Sequence, residues 1–122
     1  MKSFEEYIAD FFKGVAATVN ADYGKLDSVR KSNKGVDLYR KSARLIDEYY
    51  PDRLNEFAKL MESELPKVSL CCAVALLDLT EHYTKEQEKR ALEIITDTME
   101  KSDGAEKYGW SVWLKKHEAE KQ

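Results

Sequence analysis

The sequence has little of what breaks or staples a chain. Two prolines and five glycines in 122 residues leave few obligatory stops or tight turns, which argues against many short strands joined by hairpins. The only cysteines, Cys71 and Cys72, are adjacent. Neighbours on a helix point about 100° apart, a poor geometry for bonding to each other, so they read as small buried hydrophobes in a reducing compartment. The only histidines, His82 and His117, are expected at the surface. No His-x-x-x-His or Cys-x-x-Cys spacing exists, so no metal and no cofactor are expected. No glycine-rich phosphate loop is present, and serine and threonine lack a His–acid partner set. The longest apolar run, Leu70 to Leu77, is too short to span a bilayer. The opening residues Met-Lys-Ser-Phe-Glu-Glu lack a signal-peptide pattern. A cytoplasmic protein without a membrane partner is therefore expected. Net charge is only -3, which gives no strong overall pull toward nucleic acid.

What is present is helical periodicity. With 43% hydrophobic and 35% charged residues the chain is globular, not disordered. Its length fits one domain over residues 1–122, able to bury roughly two-thirds of its unfolded surface. Ser3 and Glu6 form a capping box ahead of Phe4, Tyr7, Ile8, Phe11, Phe12, Val15 and Val19, one apolar stripe that should end near residues 20–23. A long second helix runs from about Asp22 to Tyr49. It carries two stripes, one through Val29, Ser32, Val36, Tyr39, Ala43, Ile46 and Tyr50, the other through Leu38, Ser42, Leu45 and Tyr49. Asn33 and Gly35 weaken it, and a kink or break is expected there. Pro51 opens a third helix with Leu54, Phe57, Ala58, Leu60 and Met61. Pro66 opens a fourth, to Leu79, apolar nearly all round and so the most buried element. Thr84 with Gln87 caps a fifth, carrying Ala91, Leu92, Ile94, Ile95 and Met99. Asp103 with Glu106 suggests a box for a sixth, followed by a polar, frayed tail over residues 118–122.

The expected fold is all-α, about six helices in three antiparallel pairs. Pairs stacked with a buried second helix make a HEAT-like α–α superhelix; without a clear internal repeat, a compact bundle is the alternative. The run Pro66-Lys-Val-Ser-Leu-Cys-Cys-Ala-Val-Ala-Leu-Leu is similar to the second helix of a HEAT unit. Arg90-Ala-Leu-Glu-Ile-Ile and Gly109-Trp-Ser-Val-Trp-Leu look like a closing helix pair. Through these residues the chain resembles a family of small bacterial proteins of unknown function with a HEAT-like superhelix. The resemblance implies a fold and no catalytic residues. Some small helical bacterial proteins of this kind are suspected immunity partners of toxins, which would make a toxin the partner.

Two features bear on function. From Lys25 to Arg44 there are seven basic residues against two acidic ones, whereas residues 51–122 carry 11 basic and 15 acidic side chains. Arg30, Lys34, Lys41 and Arg44 fall within a sector of about 80°, opposite the Val29–Val36–Ile46 stripe. They read either as a ridge that docks an acidic partner or a phosphate backbone, or as a solvated face with Asp27–Arg30 and Asp37–Lys41 as helical ion pairs. No aromatic interleaves with them, which disfavours single-stranded nucleic acid. On helix 6, Trp110, Trp113 and His117 share one side, either as an interface or as the closure of the core. The paired acids Glu5–Glu6, Asp47–Glu48 and Glu62–Glu64 read as solvated faces. The leading expectation is a non-enzymatic protein-interaction module; nucleic-acid binding through the ridge and an enzyme with an unfamiliar site are the alternatives.

Overall fold

The computed structural model describes residues 2–19 and 24–121. Among them the chain forms six α-helices and no strand: α1 Phe4–Val19, α2 Leu26–Tyr49, α3 Leu54–Ala58, α4 Pro66–Leu79, α5 Lys85–Lys101 and α6 Gly104–Lys121. The all-α reading thus holds. The third helix is the shortest, flanked by 3-10 turns at Pro51–Arg53 and Lys59–Glu62. The end of helix 1 and the start of helix 2 near Asp22 were expected within residues 20–23, which lie outside the described residues.

Two capping boxes form as expected. Glu6 donates its backbone N–H to Ser3 Oγ at 3.1 Å, and Ser3 returns its own to the Glu6 carboxylate. Thr84 and Gln87 close the same reciprocal pair at α5. The box expected from Asp103 and Glu106 does not form among the described residues; Gly104 turns the chain there with φ +62°. Residues 118–121, expected as a frayed tail, continue α6 as its last turn.

The helical stripes account for the core. α1 buries Phe4, Tyr7, Phe11 and Val15, spaced three and four apart. α4 buries seven of its fourteen residues, distributed around its circumference. It is packed against α1, α2, α3 and α5, which is why no single face of it is apolar. Phe11 of α1 and Phe57 of α3 meet edge to face at 5.1 Å, both fully buried. Arg53 holds the start of the chain: its guanidinium lies 4.0 Å over the Phe4 ring and pairs with Glu5 and Glu56.

α1 and α2 form the most extensive helix pair. The break expected at Asn33–Gly35 is absent, because Gly35 is where the two backbones touch. A Cβ on Gly35 would lie 2.6 Å from the Gly14 carbonyl oxygen and 2.7 Å from Ala17 Cβ. A Cβ on Gly14 would lie 2.5 Å from the Gly35 carbonyl oxygen. The glycine costs helix propensity and returns close packing.

Cys71 and Cys72 are buried thiols on α4, as expected. Cys72 donates S–H to the Phe57 carbonyl at 3.3 Å. Burial pushes both thiols above their ordinary value of 9.0, and burial likewise pushes Tyr39 from 10.0 to about 12. These groups therefore lose protons first in the unfolded chain. Their contribution to stability is whole below about pH 9 and falls as pH rises further. A thiol reagent should leave both cysteines unlabelled in the folded protein at neutral pH and label both in denaturant, as counted by mass spectrometry. Labelling under native conditions at the denatured rate would contradict this packing.

Candidate functional site

Of the seven basic residues of the Lys25–Arg44 segment, four share one face, Arg40 lines a second surface, and Lys25 and Lys31 lie beside Leu26 and Asp27 on a third. Arg30, Lys34, Lys41 and Arg44 are exposed and stand opposite the side of α2 that buries Gly35, Ser42, Ala43 and Ile46. Asp37 and Glu48 share their sector on the helical wheel, so the face is basic but not uniformly so. Neither helical ion pair expected here, Asp27–Arg30 or Asp37–Lys41, forms among the described residues.

The arginines elsewhere on the surface behave differently. The two arginines outside α2 are both paired: Arg53 with Glu5 and Glu56, and Arg90 with Glu62 at 2.6 Å. Those bonds hold the carboxyls of Glu56 and Glu62 below the usual carboxylate range. Lys2 pairs with Asp10 and Lys101 with Asp97. The three arginines of α2, by contrast, have no ion-pair partner among the described residues.

Arg40 points elsewhere. It lines a recess of about 300 Å³ with Asp78, Trp113, Lys116, His117 and Glu120, where α2, α4 and α6 converge. Trp113 donates its indole N–H to the Asp78 carboxylate at 3.3 Å. Its ring stacks on His117 at 5.4 Å with an interplanar angle of 5°. The His117 Nε2 lies 3.4 Å from the Glu88 carboxylate. These contacts fasten α6 to α4 and α5, and they leave the Arg40 and Lys116 cations in the recess without an ion-pair partner among the described residues. Trp110 and Trp113 are half-buried against the core, so the Trp side of α6 faces inward, and Tyr108 and Val112 are the exposed apolar side chains of that helix. Of the site residues read from the sequence, Arg30, Lys34, Lys41 and Arg44 thus share one open face, while Trp113 meets the basic segment only through Arg40.

Two sequence expectations fail here. His117, expected at the surface, is buried because it lies one turn after Trp113 and stacks beneath it. Asp47, read as a solvated acid, is buried on α2. One of its oxygens accepts the His82 backbone N–H at 3.2 Å and sits 2.9 Å from the exposed His82 ring Nδ1. This pair anchors the α4–α5 connection to α2. The spacing carried the signal: Asp47 is one helical turn from Ala43 on the buried stripe. Every buried side-chain nitrogen and oxygen among the described residues has a partner.

No group of three or more His, Cys, Asp or Glu side chains among the described residues is placed to hold a metal ion, and no described helix is long and apolar enough to cross a membrane. What the α2 face offers is guanidinium and ammonium donors, which suit carboxylates; the recess sets Arg40 and Lys116 beside the carboxylates of Asp78 and Glu120. Comparison with known proteins gave no match to a family model, a curated protein or a solved structure.

Proposed function

We propose that the chain is a non-enzymatic protein-interaction module that captures an acidic protein partner along α2. The face carrying Arg30, Lys34, Lys41 and Arg44 steers and binds the partner, and the Arg40–Trp113 recess receives a carboxylate at its edge. The observation that carries this reading is the contrast between the arginines. Those outside α2 are neutralised within the chain, while those on α2 have no ion-pair partner among the described residues. A cation without an internal partner gives up little when it pairs with an external one, and complementary charge raises association rate and selectivity. Asp37 and Glu48 on the same face favour a mixed-charge protein surface over a uniformly anionic phosphate backbone. The resemblance to small helical bacterial proteins suspected as immunity partners would make that partner a toxin, held inactive by occlusion.

The test is co-purification with the products of the neighbouring genes, using the wild type and a variant with Arg30, Lys34, Lys41 and Arg44 all changed to alanine. The four side chains are exposed, so the variant should keep its helical signal and melting temperature. Its affinity for the partner should fall at least a hundredfold, and wild-type affinity should weaken as salt rises. An unchanged affinity removes the α2 face from function. Retardation of duplex DNA or RNA at low salt, lost in the same variant, would instead support the nucleic-acid alternative.

A further inference from the structure

Of the helices, α6 is held least. Each of α1 to α5 buries at least two apolar side chains. α6 buries none among its described residues, and His117 is its one buried side chain. Trp110, Trp113 and Leu114 are only half-buried against the core, and α6 packs chiefly on α5. Two contacts that fasten it, Trp113 to Asp78 at 3.3 Å and His117 to Glu88 at 3.4 Å, are longer than a typical hydrogen bond. Ser102 and Asp103 alone join α5 to α6, and Gly104 then turns the chain at φ +62°. Nothing lies within 4 Å of a Cβ placed there, so the turn can open without collision.

We propose that α6 is a hinged strap, which swings off α4 and α5 about Gly104 while α1 to α5 stay folded. The distribution of burial carries this. Detaching α6 takes no fully buried apolar side chain out of the core, whereas detaching α1, α3, α4 or α5 would take out Phe11, Phe57, Leu76 or Ile95, each 0% exposed. Opening free energies follow such differences, from near zero for weakly packed elements up to the global value for core helices. Once detached, α6 is a weak helix, with Gly109 and Val112 in its interior, so its amides meet water. The strap also makes the recess. Trp113, Lys116, His117 and Glu120 stand on α6, against Arg40 of α2 and Asp78 of α4. The recess therefore exists only with the strap closed, and a partner carboxylate seated beside Arg40 would select the closed form. That consequence rests on the α2 reading; the opening of α6 does not.

The test needs no partner. The open form is sparsely populated, so optical unfolding curves follow the loss of the whole fold, and the opening is read by native-state hydrogen exchange of the full chain, amide by amide. The slowest α6 amides should be about a hundredfold less protected than the slowest of α4, with a weaker dependence on denaturant. Ile46→Val, in the buried face of α2, should lower α4 protection about fivefold. It should leave α6 unchanged, because the closed and open forms both keep α1 to α5 and lose the same contact. Gly104→Ala should lower α6 protection about tenfold, since alanine resists the left-handed turn that closes the strap. Amides of α6 as protected as those of α4, or falling with them in Ile46→Val, would overturn the proposal. An α6 unaffected by Gly104→Ala would contradict the hinge.

Discussion

Replacing Phe57 by alanine should lower the unfolding free energy by about 3–5 kcal/mol, the range for a fully buried aromatic truncated to a methyl group. Phe57 is 0% exposed. Its ring meets the edge of Phe11, which in turn meets Tyr39 at 5.6 Å, so the cavity would open between α1, α2 and α3. The segment around Phe57 is a five-residue helix between two 3-10 turns, too short to be stable on its own. It is held by what it buries, and it cannot collapse into the space without losing its place. Denaturant unfolding followed by far-UV circular dichroism gives the number. Fluorescence of Trp110 and Trp113 on α6 gives an independent transition, and the two should coincide if the helices unfold as one unit. A loss below about 1 kcal/mol would mean that the Phe11–Phe57 contact is not the centre of the core.

Glycine at the α1–α2 crossing should be as sensitive, with the opposite sign from its helix propensity. On propensity alone Gly35→Ala would stabilise α2 by about 1 kcal/mol. The added methyl would instead lie 2.6 Å from a backbone oxygen and 2.7 Å from Ala17 Cβ, and neither can swing aside. The helices must separate, and the crossing loses its closest packing. A net loss of about 3 kcal/mol is expected, at the upper end of ordinary overpacking, or a fall in melting temperature of about 4 °C per kcal/mol for a chain of this size. Gly109→Ala is the matching control. It sits in mid-helix with nothing within 4 Å of the new methyl, and it should gain about 0.5–1 kcal/mol. Two substitutions of identical chemistry with opposite outcomes would isolate the crossing as the cause.

These residues also mark what could be read without coordinates. The α1 stripe, the all-round apolar α4 and two of the three capping boxes follow from local spacing, which a helix converts directly into faces. Gly35 was legible as a helix weakener and not as a contact, because its role depends on Gly14 in another helix. His117 and Asp47 failed for a related reason. His117 stands near the end of the sequence and Asp47 beside Glu48 on an expected exposed face, positions that suggest solvent, while the spacing of each places it on an inward stripe. The basic face was legible as a pattern, since a sector of the helical wheel needs only the sequence. Its lack of ion pairs was not: Asp27 and Asp37 have the spacing for helical pairs and do not make them. Arg40 was grouped with the basic segment, and only the convergence of α2, α4 and α6 separates it into the Trp113 recess.

A helical framework whose arginines without an ion-pair partner among the described residues all lie on α2 makes a definite demand of the living cell. A photo-crosslinking residue placed at Lys41, on that face, should capture one discrete acidic protein when the chain is expressed in its own host. The same residue at Glu93, an exposed position on α5, should capture none. An adduct at position 41 that is absent at position 93 and disappears when Arg30, Lys34 and Arg44 are changed to alanine is the predicted result. Equal adducts at both positions, or an adduct at 93 alone, would contradict the assignment of α2 as the working surface.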